Sequence, residues 1–176
     1  MKIRLATPSD SDCIRAMYVS AFPDGEGETV ASLAVDLLAE TTAPETFSFA
    51  AESDAKIVGH VAFSPASDAH ADGFLGYILA PLAVDPNFQK RRIGTRLIEH
   101  GVAQLSKIAV DIVFVYGDPN FYGRFGFQPD GALKYVPPYE LQFPFGWLSK
   151  PLADVDSFAP SGTLSCVSSL CRPDIW

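Results

Sequence analysis

The chain is short of cysteine, of positive charge and of long apolar runs, and each shortage excludes something. Cys13, Cys166 and Cys171 are the only cysteines in 176 residues. They are too few and too scattered for a disulfide framework. A zinc site needs about four ligands, and no histidine stands near Cys166 and Cys171. His70, with Asp68 and Asp72, reads as part of a solvated loop, so no metal is expected. The cysteines read as small apolar residues of a reducing cytoplasm. No stretch approaches the roughly eighteen unbroken apolar residues of a membrane span. Met1-Lys2-Ile3-Arg4 lacks the apolar region of a signal peptide. The expectation is a cytoplasmic protein with no membrane partner. Thirteen Lys and Arg face 21 Asp and Glu, for a net charge of -8. Phosphate repels such a surface, so nucleic acid is not an expected partner.

What is present is ordinary for a globular protein: 48% hydrophobic and 19% charged residues. The length fits one domain, expected over residues 1–176. Lys2 to Ala6 alternates as a strand. Thr7-Pro8-Ser9-Asp10 reads as a helix start, with a Thr cap, Pro in the first turn and Asp three residues after the cap. The helix that follows carries Ile14, Met17, Tyr18 and Phe22 on one face. A second helix, Thr29 to Glu40, shows Val30, Leu33, Ala34, Leu37 and Leu38 at helical spacing. Phe47–Ala51 and Lys56–Ser64 read as a hairpin, and Ser67 to Gly73 as a polar loop.

Leu75 to Val84 reads as a strand bulged or interrupted at Pro81, which has no N–H to donate. Ile93, Leu97, Ile98, Val102 and Leu105 predict a helix ending at Ser106 or Lys107, with His100 on its surface. Ile108 to Tyr116 reads as a buried strand, Asn120 to Arg124 as a short helix, Phe125 to Gln128 as a strand and Gly162 to Leu170 as a last strand. The order β-α-α-β-β-β-α-β-α-β calls for a mixed sheet with helices on both faces.

Against the acidic background, "PNFQKRRIGT" places Lys90, Arg91 and Arg92 at the turn from a strand into a helix. A helix N-terminus offers unpaired N–H groups and the positive end of the macrodipole. Gln89 to Thr95 is therefore a loop whose amides can converge on an anion, with Arg96 beside it. The patterns of a Walker loop and of a dinucleotide-binding turn are both absent.

"PLAVDPNFQKRRIGTRLIEHG" resembles the central motif of the GNAT N-acetyltransferase superfamily, an apolar strand followed by Q/R-x-x-G-x-G/A and a helix. "GDPNFYGRFGF", residues 117–127, resembles the segment that lies near pantetheine and thioester, in the form found in a bacterial subgroup. The opening "IRLATPSDSDCI" and the strand "KIVGHVAFSP" also fit. Residues 75–130 hold the core motifs, and residues 131–176 match loosely. The resemblance implies an α/β (α+β) fold, a mixed, mostly antiparallel sheet of about 6–7 strands flanked by about four helices.

It also implies acetyl-CoA as co-substrate and a primary amine, on a small molecule or a peptide, as acceptor. Carried over residue by residue, the backbone of Leu82, Ala83 and Val84 holds pantetheine as an added strand does. Gln89, Lys90, Arg91, Arg92, Ile93, Gly94 and Thr95 bind pyrophosphate. Asn120 meets the pantetheine, and Tyr122 lies beside the sulfur. Arg92 stands where the consensus has Gly, a residue suited to close backbone approach to phosphate. A homodimer is a further expectation from the family.

The chemistry assigns further roles. An attacking amine with pKa about 10.4 must lose a proton, and a leaving thiolate with pKa about 8.5 gains from a donor. Tyr122, a phenol, is the donor that the family resemblance implies, with an aromatic packing residue among Phe121, Phe125 and Phe127 as the alternative. Glu28, after the acidic run Asp24-Gly25-Glu26-Gly27, is a candidate base and acceptor contact, with a helix-end carboxylate as the alternative. His60 shares a strand face with Ala62 and Ser64 and is an acceptor-site candidate, with a structural histidine as the alternative. Tyr135, Tyr139, Phe143, Phe145 and Trp147, among Pro137, Pro138 and Pro144, either line the acceptor cleft or pack over the sheet. A non-catalytic acyl-CoA sensor on the same fold is the competing function.

Overall fold

The computed structural model describes residues 1–23, 25–70, 73–153 and 162–176. The chain forms two compact units. One comprises Met1–Phe63 and Ala80–Gly101, the other Ser64–Leu79 and Val102–Trp176. Strands β3 (Lys56–Asp68) and β4 (Phe74–Val84) and helix α3 (Ile93–Lys107) contribute residues to both.

In the first unit, β1 (Lys2–Leu5) pairs antiparallel with β2 (Phe47–Ser53). β2 pairs antiparallel with β3 from Phe47↔Phe63 to Ser53↔Lys56. Asp54 and Ala55 make the turn, both left-handed at φ 50° and 61°. That is the turn whose twist matches a hairpin. The antiparallel register sends alternate residues to opposite faces. His60 faces α1 (Ser11–Ala21), where the Tyr18 hydroxyl meets its ring.

Phe49 and Phe63 face α3: His100 packs edge-on to Phe49 at 4.9 Å, and a Cβ on Gly101 would collide with the Phe63 ring. Helices therefore cover both faces of this part of the sheet, as the element order required. Ile14, Met17 and Tyr18 of α1, Ala31 and Ala34 of α2 (Gly27–Ala39) and Ala83 of β4 form one buried cluster. Arg4 clamps the start of the chain. It grips Asp10 with two bonds of 2.8 and 2.9 Å and Glu52 with one of 2.9 Å. The Thr7 N–H also donates to Asp10, at 2.7 Å. Arg4 and these hydrogen bonds hold the Asp10 carboxyl well below the usual carboxylate range.

In the second unit, β5 (Ile112–Tyr116) runs parallel to β4 through Tyr77↔Val113 and Ile78↔Phe114. It runs antiparallel to β7 (Trp147–Pro151). β8 (Gly162–Cys166) pairs antiparallel with β3 and parallel with β6 (Tyr135–Val136). Phe114 stacks on Trp147 at 5.5 Å, and the indole N–H donates to the Tyr135 carbonyl at 3.0 Å. The short helices α4 (Pro119–Tyr122) and α5 (Pro129–Ala132) complete this unit. The sheet is mixed and mostly antiparallel, as expected, and counts eight strands among the described residues.

Several boundaries differ from expectation. β4 runs unbroken through Pro81, and the Ala80–Pro81 bond is cis. Its ladder to β5 lies at Tyr77 and Ile78, so the missing donor of Pro81 costs that ladder nothing. β3 extends to Asp68, shortening the expected polar loop, of which residues 71 and 72 lie outside the described residues. β5 begins at Ile112 instead of Ile108. α3 ends through Ala109 at φ 56°, whose N–H returns to the Ser106 carbonyl, leaving Ile108 55% exposed.

Phe125 to Gln128 is no strand. Gly126 is left-handed at φ 84°, and one bridge, Gln128↔Ser149, remains. The last strand stops at Cys166 and gives way to a 3-10 turn at Ser168–Leu170. His100 is half-buried against Phe49 rather than free on the surface. Among the described residues no helix is long and apolar enough to cross a membrane, and no three His, Cys, Asp or Glu gather as a metal site would require.

Candidate active site

The basic loop is built by a chain of small constraints. The Asp85 N–H donates to the Val58 carbonyl at 3.0 Å, tying the end of β4 to β3. The Asp85 carboxylate accepts from the Asn87 N–H at 2.8 Å, and the Phe88 N–H returns to the Asp85 carbonyl at 2.8 Å. This closes the 3-10 turn Pro86–Phe88. The Gln89 side-chain amide then reaches back to the Val84 carbonyl at 3.2 Å. One carbonyl expected to face pantetheine is thus already engaged within the chain. Ala83 is buried, and Leu82 and Val84 are half-buried.

Lys90 and Arg92 are left-handed, at φ 60° and 61°, and Arg91 between them is not. Alternation of this kind turns successive backbone N–H groups toward one side and makes an anion-binding concavity. α3 starts at Ile93, and its first return bond runs from the Arg96 N–H to the Arg92 carbonyl at 3.0 Å. The N–H groups of Ile93, Gly94 and Thr95 have no partner within the helix. Ile93 and Leu97 are buried and pin the helix start, while Lys90, Arg91, Arg92 and Arg96 are exposed. Among the described residues none of the four cations is ion-paired. Arg91 lies over the Phe88 ring at 5.1 Å. The loop therefore presents backbone donors, a helix N-terminus and uncommitted positive charge together.

In the other unit, the Asp118 carboxylate accepts from the Asn120 N–H at 2.9 Å and opens α4, whose last residue is Tyr122. Asn120 is exposed. The Tyr122 ring lies against Gly117, where a Cβ would collide with it. Phe121 and Phe127 flank it edge-on at 5.0 and 5.9 Å. This burial pushes the Tyr122 phenol above its ordinary value. It stays protonated throughout the neutral range. Its hydroxyl makes no hydrogen bond among the described residues.

His60 and Glu28 occupy opposite extremes. His60 is fully buried, 3.0 Å from the Tyr18 hydroxyl through Nδ1. Its Nε2 is buried with no hydrogen-bond partner among the described residues. Burial pushes its pKa down to about 3, so the ring is neutral at neutral pH. The Glu28 side chain is 71% exposed in the first turn of α2 and pairs with Arg15 at 2.8 Å. Asp24, in the same acidic run, lies outside the described residues. Of the aromatic segment, Tyr135 and Trp147 are core, whereas Phe143 and Phe145 are 51% and 67% exposed.

Sequence reasoning missed Tyr18 as the partner of His60, because the two lie 42 residues apart. It also missed Gly117 as the seat of Tyr122.

A family model for the GNAT acetyltransferase domain matches residues 44–129. The N-acetyltransferase YjhQ of Escherichia coli K12 is 38% identical over 136 residues, 76% of this chain and 73% of that protein. The chain belongs to the GNAT acetyltransferase family. As a GNAT protein with relatives of that kind, it is an N-acetyltransferase. Two solved structures of GNAT proteins extend the likeness to the fold. YhbS of Escherichia coli in complex with CoA superposes with a TM-score of 0.83 at 26% identity, over 97% of this chain and 92% of that one. A GNAT acetyltransferase of Brucella melitensis in complex with acetyl-CoA gives 0.74 at 27% identity, over 96% of each chain.

Proposed function

We propose that the chain moves an acetyl group from acetyl-CoA to a primary amine by direct attack on the thioester. The observation that carries this reading is the loop Gln89–Thr95. Left-handed Lys90 and Arg92 and the start of α3 gather backbone donors, and unpaired cations surround them. A diphosphate bearing several charges is the anion such a loop suits. The bound CoA and acetyl-CoA of the two solved relatives support the same ligand.

Each residue then has a stated task. Leu82, Ala83 and Val84 hold the pantetheine arm by main-chain contacts, and the exposed Asn120 amide meets it. A backbone N–H near Ala83 meets the oxyanion as the amine nitrogen attacks the carbonyl carbon. The C–S bond breaks, and Tyr122, kept protonated by burial, gives its proton to the sulfur. The amine's proton leaves through water toward Glu28, whose exposure lets solvent carry it. His60 takes no proton at neutral pH. Through Tyr18 it positions α1 against the sheet.

The acceptor is a small-molecule or peptide amine, the protein is cytoplasmic, and it is a homodimer. Calorimetric titration with acetyl-CoA and with CoA, followed by thiol-release assays on an amine panel, tests the reading. Micromolar binding with amine-dependent thiol release is expected. Binding without turnover on any amine would favour a non-catalytic acyl-CoA sensor, and no binding at millimolar ligand would remove both.

A further inference from the structure

Two thiols that are five positions apart in sequence meet in the second unit. Cys166 closes β8, Cys171 follows the turn Ser168–Leu170, and their sulfurs are 3.6 Å apart. Cys166 is anchored, because its strand pairs with β3 at Ala66↔Cys166. The turn is held by bonds from the Leu170 N–H to the Val167 carbonyl at 2.9 Å and from the Cys171 N–H to the Ser168 carbonyl at 3.0 Å. Beyond it, the Trp176 indole donates to the Leu170 carbonyl at 2.9 Å, and its ring lies 6.0 Å from Trp147. Both sulfurs therefore sit on restrained backbone. The Cys171 thiol, which is exposed, donates to the Cys166 carbonyl at 3.5 Å, and Cys166 is half-buried. A disulfide needs sulfurs about 2.05 Å apart. The sulfurs must close about 1.5 Å to bond, and Cys171 is the exposed partner.

We propose that Cys166 and Cys171 form a redox-responsive pair that closes to a disulfide when the protein meets a peroxide. The exposed Cys171 thiolate attacks a peroxide oxygen. An S–O bond forms, the O–O bond breaks, and the leaving hydroxide takes a proton and departs as water. The Cys166 thiolate then attacks the Cys171 sulfur of that sulfenic acid. The S–S bond forms, the S–O bond breaks, and the second hydroxide also leaves as water. Two thiols lose two electrons in all, and one hydrogen peroxide becomes two waters. Contact between the sulfurs makes the second step intramolecular, so it outruns further oxidation of the sulfenic acid. The bond braces the turn 167–170 against β8, beside Trp176. In a reducing compartment the pair rests as thiols, which makes it a switch rather than a staple.

The test treats the whole protein with about one to five equivalents of hydrogen peroxide, followed by denaturation, alkylation and intact mass measurement. The expected product is about 2 Da lighter, the mass of two hydrogens, carries one alkyl group on Cys13 and is restored by dithiothreitol. Chymotryptic cleavage after Leu170 leaves the two cysteines on separate peptides, joined only if the disulfide is present. Three alkyl groups, a sulfinic acid with two added oxygens, or a dimer linked through Cys13 would each overturn the proposal. Cys171→Ser must abolish the mass loss. If the loss persisted in that variant, the bond would belong to Cys13 and the assignment would fail.

Discussion

Replacing Arg92 with Gly separates backbone from charge in the basic loop. Arg92 stands at φ 61° with an exposed side chain. A left-handed conformation costs a non-glycine residue about 1–2 kcal/mol. Glycine removes that cost but adds about 0.4–1 kcal/mol of unfolded-chain entropy. Arg92→Gly should therefore leave stability unchanged or raise it by up to about 1.6 kcal/mol, a Tm rise of at most about 3–6 °C for a chain of this size. Arg92→Ala keeps the strain and should melt below the glycine variant.

For the ligand, both variants lose one charge-assisted contact to phosphate. At a solvated site that contact is worth about 1 kcal/mol, or an about fivefold weaker CoA affinity. Thermal melts and calorimetric titration of both variants with CoA check the two numbers together. Glycine melting well below alanine would refute the left-handed assignment. Tighter CoA binding by Arg92→Gly would refute the charge argument and show that backbone approach dominates.

Further expectations follow from the same geometry. Tyr122→Phe should lower kcat about 100-fold while CoA affinity holds, as loss of a general acid does; an unchanged rate removes Tyr122 as the donor. Gly117→Ala pushes a Cβ into the Tyr122 ring, so kcat should fall with CoA affinity again nearly intact, and a wild-type rate would show that the ring position does not matter. His60 has a folded pKa near 3 against an ordinary 6.5. Its neutral burial thus stabilises the fold above pH 6.5, and that contribution is lost as pH falls toward 3, by about 1.4 kcal/mol per unit at most. Urea unfolding at pH 7 and pH 5 should differ more for the wild type than for His60→Gln; parallel slopes would remove His60 as the titrating group. Tyr18→Phe leaves His60 Nδ1 buried without the Tyr18 hydroxyl and should cost about 1–3 kcal/mol, read from the same unfolding curves.

Elements with a local pattern were legible before any coordinates. The stripe Ile14, Met17, Tyr18 and the run Ile93, Leu97, Ile98 predicted α1 and α3, because each helix buries the face its own spacing creates. The hairpin was legible for the same reason, since its alternating strands are neighbours in sequence, although the connection expected over residues 52–55 tightens to the two-residue turn Asp54-Ala55. Strands defined by distant partners were not. Trp147–Pro151 is a strand because β5 lies beside it, and its sequence, WLSKP, carries no clear period of its own. Ile108 reads as strand by composition yet lies in the reversal that ends α3.

By itself, the sequence determined the main helices, the hairpin, the place of the basic loop and the family to which the chain belongs. Those depend on residue type and short spacing, which chain chemistry expresses locally. Only the tertiary structure decided that Lys90 and Arg92 turn left-handed, that His60 is buried and neutral against Tyr18, that Tyr122 rests on Gly117 and that Cys166 meets Cys171. No local rule puts an arginine at positive φ, empties a histidine's surroundings of water or brings two sulfurs into contact. Packing between residues distant in the chain imposes the second, and a turn held by its own hydrogen bonds imposes the last.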